Sequence, residues 1–108
     1  MTPAARPTRS TRSERSLAGV DLTAVAEALR VLAHPTRLKI VDLLMRREHS
    51  VGELAQALGE PQAAVSQHLA QLRGRGVLDV QREGRSAYYY VVHPAAEHVI
   101  RCIRQHGP

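Results

Sequence analysis

The tightest constraint on this chain lies between Ser50 and Gly76, where two helical segments are separated by only three residues, Gly59, Glu60 and Pro61. Ser50-Val51-Gly52-Glu53 has the capping-box pattern, with Ser at the N-cap and Glu three residues on, and predicts a short helix over 51–58. Leu54, Ala55 and Leu58 share its inner face, and Gly59 provides the stop. A longer helix is predicted over about 61–74, with Ala64, Val65, Leu69 and Leu72 as one apolar stripe and Gly74 and Gly76 at its end. A connection this short forces the two helices into a corner, which is a helix-turn-helix.

The flanking sequence supplies the rest of a domain. Asp21 is an N-cap candidate, and Leu22, Val25, Ala26, Leu29, Leu32 and Ala33 recur at helical spacing over 21–33. That helix stops before His34-Pro35, since proline disfavours helical backbone at the preceding residue. Pro35 then suits the first turn of a helix over 35–47, whose Leu38, Ile40, Val41, Leu43, Leu44 and Met45 mark it as central and buried. After the helix-turn-helix, residues 77–82 and 86–92 read as two strands around Glu83-Gly84, and His93-Pro94 opens a last helix over 94–106. The expected fold is mostly α with a small β-hairpin, a winged helix-turn-helix in the order α-α-α-α-β-β-α. There is no repeat and no second domain.

The chain has 108 residues, three Tyr, and neither Phe nor Trp, so its core must be aliphatic and thin. Ala95, Ala96, Val99, Ile100, Cys102 and Ile103 cover two adjoining faces of the last helix, too wide an apolar surface for a monomer. A dimer is expected, joined through Leu22, Val25 and Leu29 on the first helix and Val99, Ile100 and Ile103 on the last. One Cys excludes an intrachain disulfide framework and a four-ligand structural zinc site built on two or more cysteines. No apolar run approaches 18 residues and the N-terminus has no apolar signal region, so a soluble, cytoplasmic protein without a membrane partner is expected. Residues 1–17 carry four Arg against Glu14 and almost no large apolar side chain; they are expected to form a disordered basic tail ahead of a domain over 18–108.

Charge and residue type point to nucleic acid. The formal net charge is +5, and fourteen of the fifteen cations are Arg, the side chain suited to bidentate phosphate and guanine contacts. The outward positions of helix 61–74 are Gln62, Ala63, Ser66, Gln67, Ala70 and Gln71, small or amide-bearing and without an acid. Such a helix fits the major groove, and Gln can pair with adenine. Arg73, Arg75, Arg82 and Arg85 flank this face and the hairpin tip. An enzyme is not expected: there is no glycine-rich phosphate loop, no His-Glu-x-x-His, and the carboxylates are scattered. A winged helix that contacts only protein would show acidic or apolar residues on the outer face of 62–73, unlike the residues present.

The segments 29–44 (LRVLAHPTRLKIVDLL), 50–78 (SVGELAQALGEPQAAVSQHLAQLRGRGVL) and 82–92 (REGRSAYYYVV) resemble the ArsR/SmtB group of bacterial winged-helix regulators. The resemblance implies a homodimer built on the first and last helices, a symmetric double-stranded DNA operator, repression as the default, and a ligand that alters DNA affinity. It places Gln62, Ser66, Gln67 and His68 on the recognition helix and Arg82, Gly84 and Arg85 on the wing. Gln71 and Arg73 complete the expected DNA-contacting set; His68 is read as a packing residue that touches phosphate.

Departures from the family pattern bear on the ligand. The Cys-Val-Cys of arsenic-type members is replaced by Glu48-His49-Ser50-Val51-Gly52-Glu53, and the four-ligand zinc set of the last helix is incomplete. In its place His98, Cys102 and His106 stand at i, i+4 and i+8, a thiolate and imidazole set suited to nickel or zinc, to be completed by His93 or a second copy. The alternatives left open are a regulator without a ligand, one that depends on a partner protein, and an activator.

Overall fold

The computed structural model describes residues 17–107. The expected basic tail therefore lies outside the described residues, apart from Leu17. The elements are α1 (Leu22–Leu32), α2 (Pro35–Arg46), β1 (His49–Ser50), α3 (Val51–Leu58), α4 (Gln62–Gly74), β2 (Leu78–Glu83), β3 (Ser86–Val91) and α5 (Pro94–His106). No described helix is long and apolar enough to cross a membrane.

Local chemistry sets each boundary. The Asp21 carboxylate accepts the Ala24 N–H at 3.1 Å and starts α1. His34 caps α2 through Nδ1, which accepts the Thr36 N–H at 3.1 Å, with Pro35 in the first turn. Both halves of the capping box on α3 are made: Ser50 Oγ accepts from Glu53 N at 3.2 Å, and Glu53 Oε1 accepts from Ser50 N at 2.9 Å. Gly59 ends α3 at φ 68°, a left-handed conformation that glycine adopts without a Cβ penalty. His93 repeats the device of His34 at the start of α5, accepting from Ala95 N at 3.1 Å.

The sheet has three strands in the order β1-β3-β2, all antiparallel. The hairpin was expected; β1 was not. His49 pairs with Tyr89 and Ser50 with Tyr88, so β3 becomes the central strand and its far edge is covered. Two residues are too few for an alternating pattern to show in sequence. Pairing also accounts for His49, which is 7% exposed with Nδ1 2.8 Å from the Arg47 carbonyl oxygen.

The core is aliphatic, as composition requires. Ile40, Val41, Leu54, Val65, Leu69, Leu72 and Val77 are the largest fully buried side chains, and Tyr89 packs at the margin. Ala96 and Ile100 of α5 also belong to this core. Ile100, expected at a dimer interface, is thus a core residue of the single protomer at 3% exposure. Leu22, Leu29 and Ile103 remain 51%, 44% and 46% exposed, and Val25 and Val99 are half-buried.

Candidate nucleic-acid interface

Helix α4 presents two unlike faces. Val65, Leu69 and Leu72 are buried against the domain, while Gln62, Ala63, Ser66, Gln67, Ala70, Gln71 and Arg73 are exposed. No carboxylate stands on the exposed face. α3 packs against α4 across the turn, and β2 follows it, so the wing and α4 belong to one rigid corner. The wing turns at Gly84-Arg85, between the paired residues Glu83 and Ser86. Gly84 takes φ 62°, as the first position of a two-residue hairpin turn requires. Arg82 and Arg85 are exposed and, among the described residues, have no carboxylate within 4.0 Å.

Arg73 differs from the other expected contact residues in having a local partner, Asp79 on β2, at 3.8 Å. His68 differs more. It is half-buried on the side of α4 that faces α2. Arg37 Nε donates to His68 Nδ1 at 3.1 Å, and Arg37 Nη1 donates to the Val31 carbonyl at 3.2 Å. The His34 ring stands against the His68 ring with centroids 4.7 Å apart. Burial, His34 and the Arg37 guanidinium together hold the His68 pKa below the ordinary histidine value, so its ring is neutral at pH 7. With Nδ1 accepting, the proton sits on Nε2.

Arg37 is the residue that sequence reading missed. Its partner lies 31 positions away, and no local pattern signals such a pair. The only hint is the polar side chain itself, next to Leu38 at the start of a helix otherwise read as central.

The three metal-ligand candidates, His98, Cys102 and His106, are exposed along one stripe of α5. Among the described residues of one protomer, no three His, Cys, Asp or Glu side chains gather closely enough to hold a metal ion. His93 Nδ1 is occupied as the α5 cap.

Known proteins are similar to this chain in sequence and in fold. The sequence model of bacterial regulatory proteins of the arsR family matches residues 34–80. The transcriptional repressor PagR of Bacillus anthracis is 42% identical over 79 residues, covering 72% of this chain and 79% of PagR. Its crystal structure superposes with a TM-score of 0.70, covering 76% of this chain and 94% of that one. HlyU from Vibrio cholerae superposes with a TM-score of 0.73 at 30% identity, over 81% of this chain and 95% of HlyU. The homodimeric winged helix-turn-helix DNA-binding domain of Mb0332 from Mycobacterium bovis does so with a TM-score of 0.70 at 30% identity, over 78% of each chain.

Proposed function

The chain belongs to the arsR family of bacterial regulatory proteins, and from that premise we propose that it acts as a homodimeric transcriptional repressor that binds double-stranded DNA. This family consists of regulators, not enzymes. The observation that carries the reading is the exposed face of α4, rich in amides and free of carboxylates, set beside a wing with Arg82 and Arg85 at its tip. Repression is supported by the similarity to PagR, a transcriptional repressor. Dimerisation is supported by the similarity to the homodimeric Mb0332 domain and by the exposed Leu22, Leu29 and Ile103.

In this reading α4 enters the major groove. Gln62, Ser66, Gln67 and Gln71 read base edges, Arg82, Arg85 and Arg73 hold the backbone, and His68 approaches it through Nε2. A mobility shift with duplex from upstream of the chain's own gene tests this. Gln67→Ala should relax sequence preference, with about 1–3 kcal/mol lost at the paired base. Arg85→Ala should weaken all sequences alike and lower the salt slope by about one. A wild-type protein that shifts no such duplex at about 0.1 M salt would refute the reading.

A metal response is a finer proposal. It rests on the exposed i, i+4, i+8 stripe of His98, Cys102 and His106, which needs donors from a second copy to complete a set. Binding would release protons, so nickel or zinc affinity should fall from about pH 8 to about pH 6 and be lost in Cys102→Ser. No heat of binding with either metal would leave a regulator without a ligand or one dependent on a partner protein.

A further inference from the structure

A helix in the major groove has a phosphate strand on each side, about 12 Å apart across the groove. The wing arginines serve one side. Gln71 and Arg73 lie about 200° apart around α4 at 3.6 residues per turn, so they mark opposite edges of its exposed face. Arg73 points to β2, where it meets Asp79. Gln71 borders a different feature, a cleft of about 190 Å³ between α1 and α4, lined also by Glu27, Arg30, Val31, Arg37 and Arg75.

The chemistry of this cleft is that of an anion seat. Three guanidiniums meet a single carboxylate there, leaving a surplus of two positive charges. Arg75 stands 3.8 Å from Glu27. Arg37 is fixed in place by its bonds to His68 and to the Val31 carbonyl. Arg30 is exposed and, among the described residues, has no carboxylate within 4.0 Å. Guanidinium forks match phosphate oxygens in geometry as well as in charge.

We propose that Arg30 and Arg75, which line the cleft together with Arg37, form a second backbone clamp that takes DNA phosphates along the edge of α4 opposite the wing. The inference rests on the DNA-binding reading and adds residues that the wing and the face of α4 do not include. Glu27 is its counter-ion when DNA is absent. A phosphate at the cleft must displace Glu27 from Arg75 or lie beside it, so this carboxylate weakens DNA binding.

The test is fluorescence anisotropy with a labelled mixed-sequence duplex over a series of potassium chloride concentrations. Sequence is immaterial because the clamp touches only backbone. The proteins are wild type, Arg85→Gln, the double variant Arg30→Gln/Arg75→Gln, and Glu27→Gln. Each phosphate contact contributes a salt slope of about 0.9, so the double variant should lose about two from the slope and roughly tenfold in affinity per arginine at about 0.1 M salt. Glu27→Gln should bind more tightly than wild type, which a merely structural role for the Arg75–Glu27 pair would not produce.

If Arg85→Gln loses slope while the double variant keeps wild-type affinity and slope, the clamp is wrong and the DNA reading stands. If wild type does not bind duplex at all, both fall. Circular dichroism melts should show each variant folded as wild type is. A parallel series in potassium phosphate at matched ionic strength should weaken DNA binding by wild type more than the chloride series does, because free phosphate competes for the same guanidiniums, and should not do so for the double variant. Phosphate binding that is lost in the double variant while its DNA affinity in chloride stays at the wild-type value would make the cleft a free-anion site and overturn its assignment to DNA.

Discussion

The Arg37–His68 contact adds a polar tie to the apolar packing that holds α4. It joins α2 to α4 through one directional bond, and that bond exists only while His68 Nδ1 has a free lone pair. Protonation would turn the acceptor into a donor facing Arg37, with His34 alongside and Glu60 the one acidic group that favours the charged form. The folded pKa lies below the unfolded value, so the unfolded chain takes up the proton first. Stability is therefore full above about pH 6.5 and falls as pH drops toward the folded pKa. His68→Asn keeps an acceptor near the Nδ1 position but does not titrate. Urea midpoints at about pH 7.5 and about pH 5 should show a larger acid loss for wild type than for His68→Asn. Equal losses would mean that burial, His34 and Arg37 together do not lower the His68 pKa. Residues whose roles are local, such as Asp21, Ser50 and Gly84, were legible in the sequence because a cap or a turn needs only its neighbours. Arg37 was not, because the fold alone brings it to His68.

At the scale of elements, α3 is the piece whose presence most depends on one device. It has eight residues, too few to be stable in isolation. The Ser50–Glu53 box satisfies two of its unpaired N–H groups and also sits on β1, so the same residue starts the helix and closes the sheet. Ser50→Ala keeps the backbone pairing with Tyr88 but removes the cap, and should cost about 1 kcal/mol of unfolding free energy in urea titration. An unchanged midpoint would show that tertiary packing of Leu54 and Ala55 alone holds α3. The N–H of Ser50 keeps the Glu53 carboxyl below its usual pKa, with Arg47 helping against partial desolvation. That contribution is present above about pH 4.5 and disappears as pH falls through the lowered value. Every helix was readable from periodicity and capping. β1 was not, since its identity comes from β3 and not from its own two residues.

For the whole molecule, the open matter is where a small aliphatic domain completes its burial. The core of α5 points inward through Ala96 and Ile100, while Ile103 on the same helix stays 46% exposed. Leu22 and Leu29 are comparably exposed on α1, which packs beside α5. The width of the apolar face was legible in sequence, but its division between own core and partner was not. That division depends on how α5 is rotated against α2, where Arg104 pairs with Asp42. Under the homodimer reading, these exposed side chains meet their copies, and the two α4 helices are spaced by that contact. Leu29→Asp together with Ile103→Asp would bury carboxylates in an apolar interface, at a cost on the order of several kcal/mol. Both positions are open to solvent in one protomer, so the domain itself should still fold. Sedimentation should then report a folded monomer, with a thermal melt showing retained helix and with weaker affinity for a two-half-site duplex than wild type. A double variant that sediments as a dimer would place the interface elsewhere, on a surface that includes neither Leu29 nor Ile103.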